Sequence, residues 1–446
     1  MQFLKRIALM IALSAGCANI SVGQELVLDT LQLTLADAWH RADTASKAIK
    51  IQRFNALSKT AEKKDLEIER YPEVGVAGSI EKATNIPIYD EGLLNKPSQH
   101  EVIHTLYRVG ADFNLNIYNG NKLNLRIASA GVEQNIAGIE ESQMTSSQYL
   151  RVASIYLELQ KSFVFQTLIK EAIAEREAQL TEIKEFYKNG VKLKNDVLRV
   201  ELDLSKQRQI LLEINNDIKL LTQSLNIIIG LPDERAIKPD ALDIAKMPTV
   251  PSYEDCLTQG RIKAYPYLIS GEKVKLSELE VKQIKSNQSV KVNMYGEFYY
   301  ANPQIFLYPY NPYWYSLGIA GVKASFPISS LYHNLYKMKK AKIELEKEEE
   351  QHKNTDDVLR KEIKEGYLRY EEAIERISVR RTDVSRAEEN ERIVKENYFN
   401  QTLLITDLLD AELQSLQSKF DIVSAAVVAK YKFYQLQNSI GTLTAL

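Results

Sequence analysis

The 446-residue sequence predicts a mainly α-helical chain with a small β part and an internal twofold sequence repeat. Three observations predict this fold class. Glycine and proline are scarce, at 18 and 12 residues, which favours long uninterrupted helices. The two halves of the chain match each other at a nearly constant offset. Four short segments alternate apolar and polar residues with the period of two that is typical of β-strands.

The overall composition excludes two broad classes of protein. A formal net charge of −2 provides no concentrated basic surface, so we expect no nucleic-acid partner. Charged residues make up 26% of the chain, which argues against a bundle of transmembrane helices. Beyond the N-terminal segment there is also no apolar run of about eighteen residues, the length that a spanning helix needs.

Residues 1–23 have the pattern of a secretory signal peptide. Lys5 and Arg6 precede an apolar stretch that is too short to span a bilayer, and small residues stand at the end of the segment, where cleavage occurs. An alternative is lipoprotein processing with lipidation at Cys17. Either cut leaves only Cys256 in the body of the chain, so we expect no intrachain disulfide framework.

The repeat divides the mature chain into residues 24–230 and residues 252–446, joined by a proline-rich connector at 231–251. At an offset of about 211 positions, the matched pairs include Gly110 with Gly321, Tyr156 with Tyr367, Asp196 with Asp407 and Gly230 with Gly441. Each half is therefore predicted to contain a helix, two strands, a very long helix, a turn and a final helix.

The four alternating segments predict strands at about residues 72–86 and 106–118 in the first half, and at about 289–300 and 316–328 in the second. Each has the length of a membrane-crossing strand, although a soluble sandwich shows the same alternation. The loop Asn302–Trp314 is dense in proline and aromatic residues, which favours the rim of a barrel at the lipid headgroups. Four strands cannot close a barrel, so this interpretation requires several copies to pool their strands.

Two long stretches predict helical rods. The ranges from about 121 to 187 and from about 332 to 398 contain no proline. At 1.5 Å per residue, a helix over either range would be roughly 100 Å long. In the helix that follows the first rod, Val197, Leu204 and Leu211 begin a seam that repeats every seven residues. This spacing favours left-handed coiled-coil pairing of helices, which suits a stalk or a tube.

A turn motif between the long helices occurs twice and carries a family resemblance. The first copy comprises Tyr187, Gly190, Asp196, Val197 and Leu198. The second copy comprises Tyr398, Gln401, Asp407, Leu408 and Leu409. With the helix-terminal Gly230 and Gly441, the repeat and the paired strands, these motifs make nearly the whole mature chain resemble the TolC-like outer-membrane efflux proteins.

The resemblance implies a homotrimer in the outer membrane of a Gram-negative bacterium. Each chain would contribute four transmembrane strands to one twelve-stranded β-barrel in contact with outer-membrane lipid, and the helices would continue it as a coiled-coil α-barrel through the periplasm. Such a protein is a passive exit duct of a tripartite efflux or type I secretion system. Its implied partners are a periplasmic adaptor protein and an inner-membrane pump of the resistance–nodulation–division or ABC type. No enzymatic activity, metal or other cofactor is implied.

The resemblance also implies three sets of site residues. Asp407 and Asp410 match acidic rings that narrow the channel at its periplasmic end. Tyr398 and Asp196 match a latch of the closed state, in which a tyrosine hydroxyl donates to a carboxylate. The adaptor-docking turns correspond to Asn189, Gly190, Val191, Asn400, Gln401 and Thr402.

Two positions depart from the family pattern. Leu403 stands where the prototype has a latch arginine, and Gln401 replaces the turn glycine. Neither the charged part of the latch nor a left-handed geometry of the second turn is therefore predicted.

Other interpretations of these residues stay open at this point. Asn195 and Thr406 are candidate helix N-caps, in which case the acidic residues after them complement the helix dipole without any function. A periplasmic or surface coiled-coil scaffold with no channel is the alternative to a duct.

The segment His100–His104 also matches the HExxH pattern of zinc proteases, with Glu101 as general base. That chemistry needs both histidines on one face of a helix. Pro97 just before the segment and the strand just after it argue against such a helix.

Overall fold

The computed structural model describes residues 30–306 and 310–444, so the predicted signal peptide and Cys17 lie outside the described residues. The elements of the first half are β1 (Leu31–Leu33), α1 (Leu35–Ala45), α2 (Lys47–Ile68), β2 (Glu73–Lys82), β3 (Ile86–Ile88), β4 (Ser98–His100), β5 (Thr105–Tyr118), α3 (Lys122–Lys188) and α4 (Lys194–Ile229). Those that follow are β6 (Ile237–Pro239), α5 (Tyr253–Lys263), α6 (Tyr265–Ser286), β7 (Lys291–Asn302), β8 (Tyr315–Ser325), α7 (Ser330–His333), α8 (Leu335–Phe399) and α9 (Ile405–Ile440).

The fold is mainly helical with a smaller sheet part, as the sequence predicted. Strand β2 ends at Lys82, earlier than the expected boundary at 86, because the chain then turns into the short hairpin β3–β4. The leading helix of each half is divided in two. In the second half the division accommodates Pro266, which the first turn of α6 tolerates but a helix interior does not.

Helices α3 and α8 are rods of 67 and 65 residues, so each is roughly 100 Å long at 1.5 Å per residue. Each folds back at a tight turn into a 36-residue helix, α4 or α9, to form a long hairpin. Within the described residues, no helix is both long enough and apolar enough to cross a membrane.

Near the middle of the rods, the connector packs against the start of the chain. Strand β6 pairs in parallel with β1, and the Tyr156 hydroxyl of α3 donates to the Leu33 carbonyl oxygen at 2.8 Å. The same hydroxyl accepts a hydrogen bond from the Asp240 N–H at 3.0 Å. The Trp39 indole N–H donates to the Tyr149 carbonyl oxygen at 2.9 Å. The largest buried hydrophobic cluster surrounds these contacts, so the core of the chain lies at this level.

Strands β2, β5, β7 and β8 form one antiparallel sheet in that order. Because side chains alternate across a strand, the register places Val76, Ala111 and Phe298 in one row on the same face. This face is apolar and open: the side chain of Val76 is 80% exposed. The other face carries the Arg108–Glu297 ion pair. The structure thus has a two-faced sheet whose apolar side is uncovered in the single chain.

Candidate functional site: the helical tips

The turns that join α3 to α4 and α8 to α9 have the same backbone geometry. In the first turn, the Val191 N–H donates to the Phe186 carbonyl oxygen at 2.9 Å, and Gly190 has a φ of 73°. In the second turn, the Thr402 N–H donates to the Asn397 carbonyl oxygen at 3.0 Å. Both turns therefore end their helix with a left-handed residue and a bond that spans five positions, as in a Schellman motif.

Gln401 holds the left-handed position of the second turn, with a φ of 63°. The absence of glycine therefore did not change the turn, although the sequence alone gave no reason to predict this geometry. The left-handed conformation is unfavourable by about 1–2 kcal/mol for a residue that has a Cβ atom. The Thr402 hydroxyl supports the turn by donating to the Asn397 carbonyl oxygen at 2.8 Å.

The helices after the turns each begin one residue before the predicted N-cap. Leu193 and Leu404 are the N-cap residues, so Asn195 and Thr406 lie inside the first turn and do not cap. Asp196 and Asp407 are the third helical residues of α4 and α9 and reach back to the free N–H groups of the caps. The Leu193 N–H donates to Asp196 Oδ2 at 3.3 Å, and the Leu404 N–H donates to Asp407 Oδ2 at 3.0 Å. Both aspartates thus stabilise a helix start.

Asp407 and Asp410 are both exposed and lie one helical turn apart on α9. Asp410 also lines a groove between α8 and α9, together with Arg380, Arg386 and Asp421. The predicted constriction residues therefore share one surface near the tip of the second hairpin.

Tyr398, near the end of α8, is the buried centre of the tips, with 1% of its surface exposed. The side chains of its hydrophobic cluster come from both hairpins: Ile183, Val197, Val200, Ile405 and Leu408. The Lys192 ammonium nitrogen lies 4.2 Å from the centroid of its ring. Packing against Tyr398 therefore joins the two turns.

The Tyr398 hydroxyl has no hydrogen-bond partner among the residues that the structure describes. Burial and then the nearby Asp196 carboxylate raise the pKa of Tyr398 to about 12. The predicted latch pair is therefore brought together without a hydrogen bond between the two side chains, and the Asp196 carboxylate accepts from the Leu193 N–H. Leu403, in the position of the latch arginine, is partly buried in the second turn.

About two helical turns from this cluster lies a buried polar network that was not predicted. Arg176 of α3 is 4% exposed and forms ion pairs with Glu412 of α9 and with Asp203 of α4, where Nε and Oδ2 are 2.8 Å apart. The Gln179 amide donates to the Glu412 carboxylate. Burial raises the pKa of Glu412, although the Arg176 guanidinium opposes this effect. The network links the first hairpin to the second.

A sequence signal for this network existed. The buried residues of α3 follow a spacing of four and three, and Arg176 occupies a seam position between Ile173 and Ile183. Glu412 occupies the equivalent kind of position between Leu408 and Ser415 on α9. Charged residues in an otherwise buried seam need partners, and this requirement identifies them.

The HExxH segment has no catalytic geometry. His100 ends strand β4, the next three residues are not helical, and His104 immediately precedes β5. The two histidines therefore do not share a helical face, and His104 Nε2 instead lies 2.8 Å from the Asn85 amide oxygen. The zinc-protease interpretation is wrong for this geometric reason.

No family model matches the chain, and no curated protein matches its sequence. Solved structures do match. The outer-membrane channel OprN has 14% sequence identity and a TM-score of 0.76, covering 91% of this chain and 89% of its own. The outer membrane protein VceC from Vibrio cholerae has 16% identity and a TM-score of 0.75, covering 91% and 96% of the two chains.

The outer membrane channel CmeC of Campylobacter jejuni has 13% identity and a TM-score of 0.74, covering 92% of this chain and 85% of its own. At these identities the likeness establishes the fold. It is the fold that the resemblance of the repeat and the turn motifs predicted, so the chain has the architecture of the TolC-like outer-membrane channels.

Proposed function

We propose that the chain is the outer-membrane exit duct of a tripartite efflux or type I secretion system. Three copies form one twelve-stranded barrel in the lipid and one α-helical tube in the periplasm. Substrate passes through passively, delivered by a periplasmic adaptor and an inner-membrane pump of the resistance–nodulation–division or ABC type. The proposal assigns the chain no catalysis and no resident cofactor.

The observation that carries this proposal is the uncovered sheet. Each Å² of its apolar face that stays in contact with water is unfavourable by about 25 cal/mol. Lipid that covers the face would remove this cost. The outer edges of β2 and β8 face no further strand of the sheet among the described residues. Their free N–H and C=O groups would cost several kcal/mol each in a membrane, so pairing β2 of one copy with β8 of the next favours a closed ring.

The shape of the helical part supports the same conclusion. Helical rods roughly 100 Å long have far more surface than one chain can bury. Large apolar side chains remain exposed along the helices that lie below the sheet, including Ile51, Phe54 and Leu57 of α2. Exposed apolar rows of this kind favour side-by-side packing with another copy, which a trimeric tube would supply. The equal length of α4 and α9 supports a pseudo-repeated wall in that tube.

We propose that Asp407 and Asp410 line the narrowest part of the tube. Both are exposed. In a trimer, threefold repetition would place six carboxylates around the tube axis, within the length of one helical turn along it. Such a ring favours cations over anions. The hydrogen bond from the Leu404 N–H fixes the position of the Asp407 carboxylate.

The latch is proposed to involve Tyr398 and Asp196. A buried hydroxyl without a partner costs about 1–3 kcal/mol. The Asp196 carboxylate is close enough to raise the pKa of Tyr398, and its existing bond to the Leu193 N–H is long, at 3.3 Å. A small rotation of Asp196 would let it accept from the tyrosine and hold the two hairpins together.

The turns themselves are proposed to dock the adaptor. Asn189, Gly190 and Val191 are exposed, as are Asn400, Gln401 and Thr402. Beside them, the apolar side chains of Leu193 and Leu404 are 71% and 70% exposed. Exposed leucines at the end of a rod indicate a surface that a protein partner covers.

Cell fractionation separates the duct from the scaffold alternative. The duct predicts that the chain is recovered with outer membranes and runs on gels as an oligomer three times the chain mass, which dissociates only on heating. A soluble periplasmic or surface protein that behaves as a monomer before and after heating would contradict the proposal and support a coiled-coil scaffold.

A further inference from the structure

A cavity of about 130 Å³ lies between the two hairpins, on the tip side of the connector. All four long helices contribute to its wall: Glu175 from α3, Gln207 from α4, Glu391 from α8, and Glu412 with Ser415 from α9. The cavity is therefore placed where the first hairpin meets the second.

Three of these side chains bring carboxylates together. One oxygen of each of Glu175, Glu391 and Glu412 lies within 4.8 Å of an oxygen of the others. Ca²⁺ binds oxygens at about 2.3–2.6 Å, so two ligands on opposite sides of one ion are about 5 Å apart. The three carboxylates therefore have the spacing at which one cation can contact all of them.

Independent evidence comes from two buried oxygens in the same wall. The Ser415 Oγ and the Gln207 Oε1 have no hydrogen-bond partner among the residues that the structure describes. Ser415 is 1% exposed and Gln207 is 8% exposed, so bulk water does not satisfy them. Unpaired buried oxygens cost free energy, and a cation in the cavity would relieve that cost.

The charges around the cavity are not balanced. Lys395 forms an ion pair with Glu175, and Arg176 forms one with Glu412. Glu391 takes part in no ion pair or hydrogen bond within the described part of the chain. Each paired carboxylate also keeps free lone pairs, because two oxygens offer about four acceptor sites. The wall also contains Glu171 and the ammonium group of Lys419. Four carboxylates therefore face three cationic groups, Arg176, Lys395 and Lys419, which leaves one negative charge for an added cation.

We propose that Glu175, Glu391 and Glu412 bind a hard divalent cation of the Ca²⁺, Mg²⁺ or Mn²⁺ class, with Ser415 and Gln207 completing the oxygen set. The wall offers carboxylate, hydroxyl and amide oxygens and neither histidine nor cysteine, which selects against soft metals. The ion connects α3 of the first hairpin to α8 and α9 of the second. It stabilises their contact from inside each chain, a role that is separate from conduction and does not require it.

Mn²⁺ binding to the purified full-length chain tests this site. Every variant carries Asp407→Ala and Asp410→Ala, so that the proposed constriction does not contribute. After treatment with a chelator, Mn²⁺ alone is titrated and the free ion is measured by electron paramagnetic resonance. We expect one Mn²⁺ per chain, with an affinity that Glu391→Gln weakens by about tenfold or more through the loss of one charged ligand.

The matched control is Glu389→Gln, an identical substitution on the same helix whose carboxylate pairs with Arg392. It should leave Mn²⁺ affinity unchanged. At the same concentration, added Ca²⁺ should also raise the thermal unfolding temperature of the parent chain more than that of the Glu391→Gln variant. Absence of binding at millimolar Mn²⁺, equal binding in the Glu391→Gln variant, or an equal loss in the control would overturn the site. None of these outcomes depends on whether the chain forms a channel.

Discussion

Replacing Gln401 with glycine is expected to stabilise the tip of the second hairpin. Gln401 has a φ of 63°, and its exposed side chain makes no hydrogen bond in the described structure, so the substitution removes strain and no contact. The left-handed conformation costs a residue with a Cβ about 1–2 kcal/mol. Glycine has more conformational freedom in the unfolded chain, and this freedom destabilises the folded state by about 0.5–1 kcal/mol. The net gain should be about 0.5–1 kcal/mol.

The first turn supplies the reciprocal control. Gly190 has a φ of 73°, and a Cβ added there meets no atom within 4 Å, so Gly190→Ala imposes only the backbone cost. It should destabilise its turn by a similar amount. Because the two turns share one geometry, the two substitutions should have opposite signs and nearly equal size.

Native-state hydrogen exchange on peptides that cover each turn measures these local free energies. A change of about 0.5–1 kcal/mol corresponds to a change of about two- to fivefold in the exchange rate of locally opening amides. We expect slower exchange around residue 401 in Gln401→Gly and faster exchange around residue 190 in Gly190→Ala. Faster exchange in Gln401→Gly, or no change in either variant, would refute the assignment of strain to this position.

Three further substitutions test other parts of the structure. If Tyr398 donates to Asp196 in the closed state, Tyr398→Phe should lower the unfolding free energy of the oligomer by about 1.5–3 kcal/mol, and a neutral or stabilising effect would exclude the latch. Because the pKa of Tyr398 is about 12 in the folded chain and 10.0 ordinarily, the unfolded chain loses this proton first. Stability measured by denaturant titration should therefore fall between pH 10 and 12, and less steeply in Tyr398→Phe. Gly296→Ala places a Cβ closer to Phe113 Cε1 than van der Waals contact allows. Overpacking that costs about 1–3 kcal/mol should then lower the temperature at which the proposed oligomer dissociates on heated gels. Gly78→Ala, with its nearest atom at 3.6 Å, should not lower it.

The architecture was predictable because its signals extend over many residues. The proline-free rods, the heptad seam and the alternating strands each depend on a periodicity that single substitutions do not remove. The connector was identified by its prolines. Its pairing with β1, through Ile237 and Leu31, could not be predicted, because a strand of three residues is too short to show an alternating pattern. The hairpin β3–β4 was missed for the same reason.

The candidate site was predictable only in part, because its details are local. Asp196 and Asp407 were placed at the helix starts, yet the N-caps are Leu193 and Leu404, residues without a capping side chain. There the aspartate at the third helical position provides the cap through its own carboxylate. The conformation of Gln401 could not be foreseen, because the surrounding turn imposes a geometry that the residue disfavours by itself. For Arg176, the sequence shows only that a charged residue interrupts the hydrophobic seam of α3. It does not show which residues form its ion pairs.

The most direct test of the duct is the current that the purified protein carries across a planar lipid bilayer. We expect discrete single-channel steps with a preference for cations. In the Asp407→Ala, Asp410→Ala double variant we expect a higher conductance and a several-fold weaker cation preference. Steps of unchanged conductance and selectivity in that variant would contradict the constriction. A purified protein that forms no channel in the bilayer would show that the chain is not an outer-membrane duct.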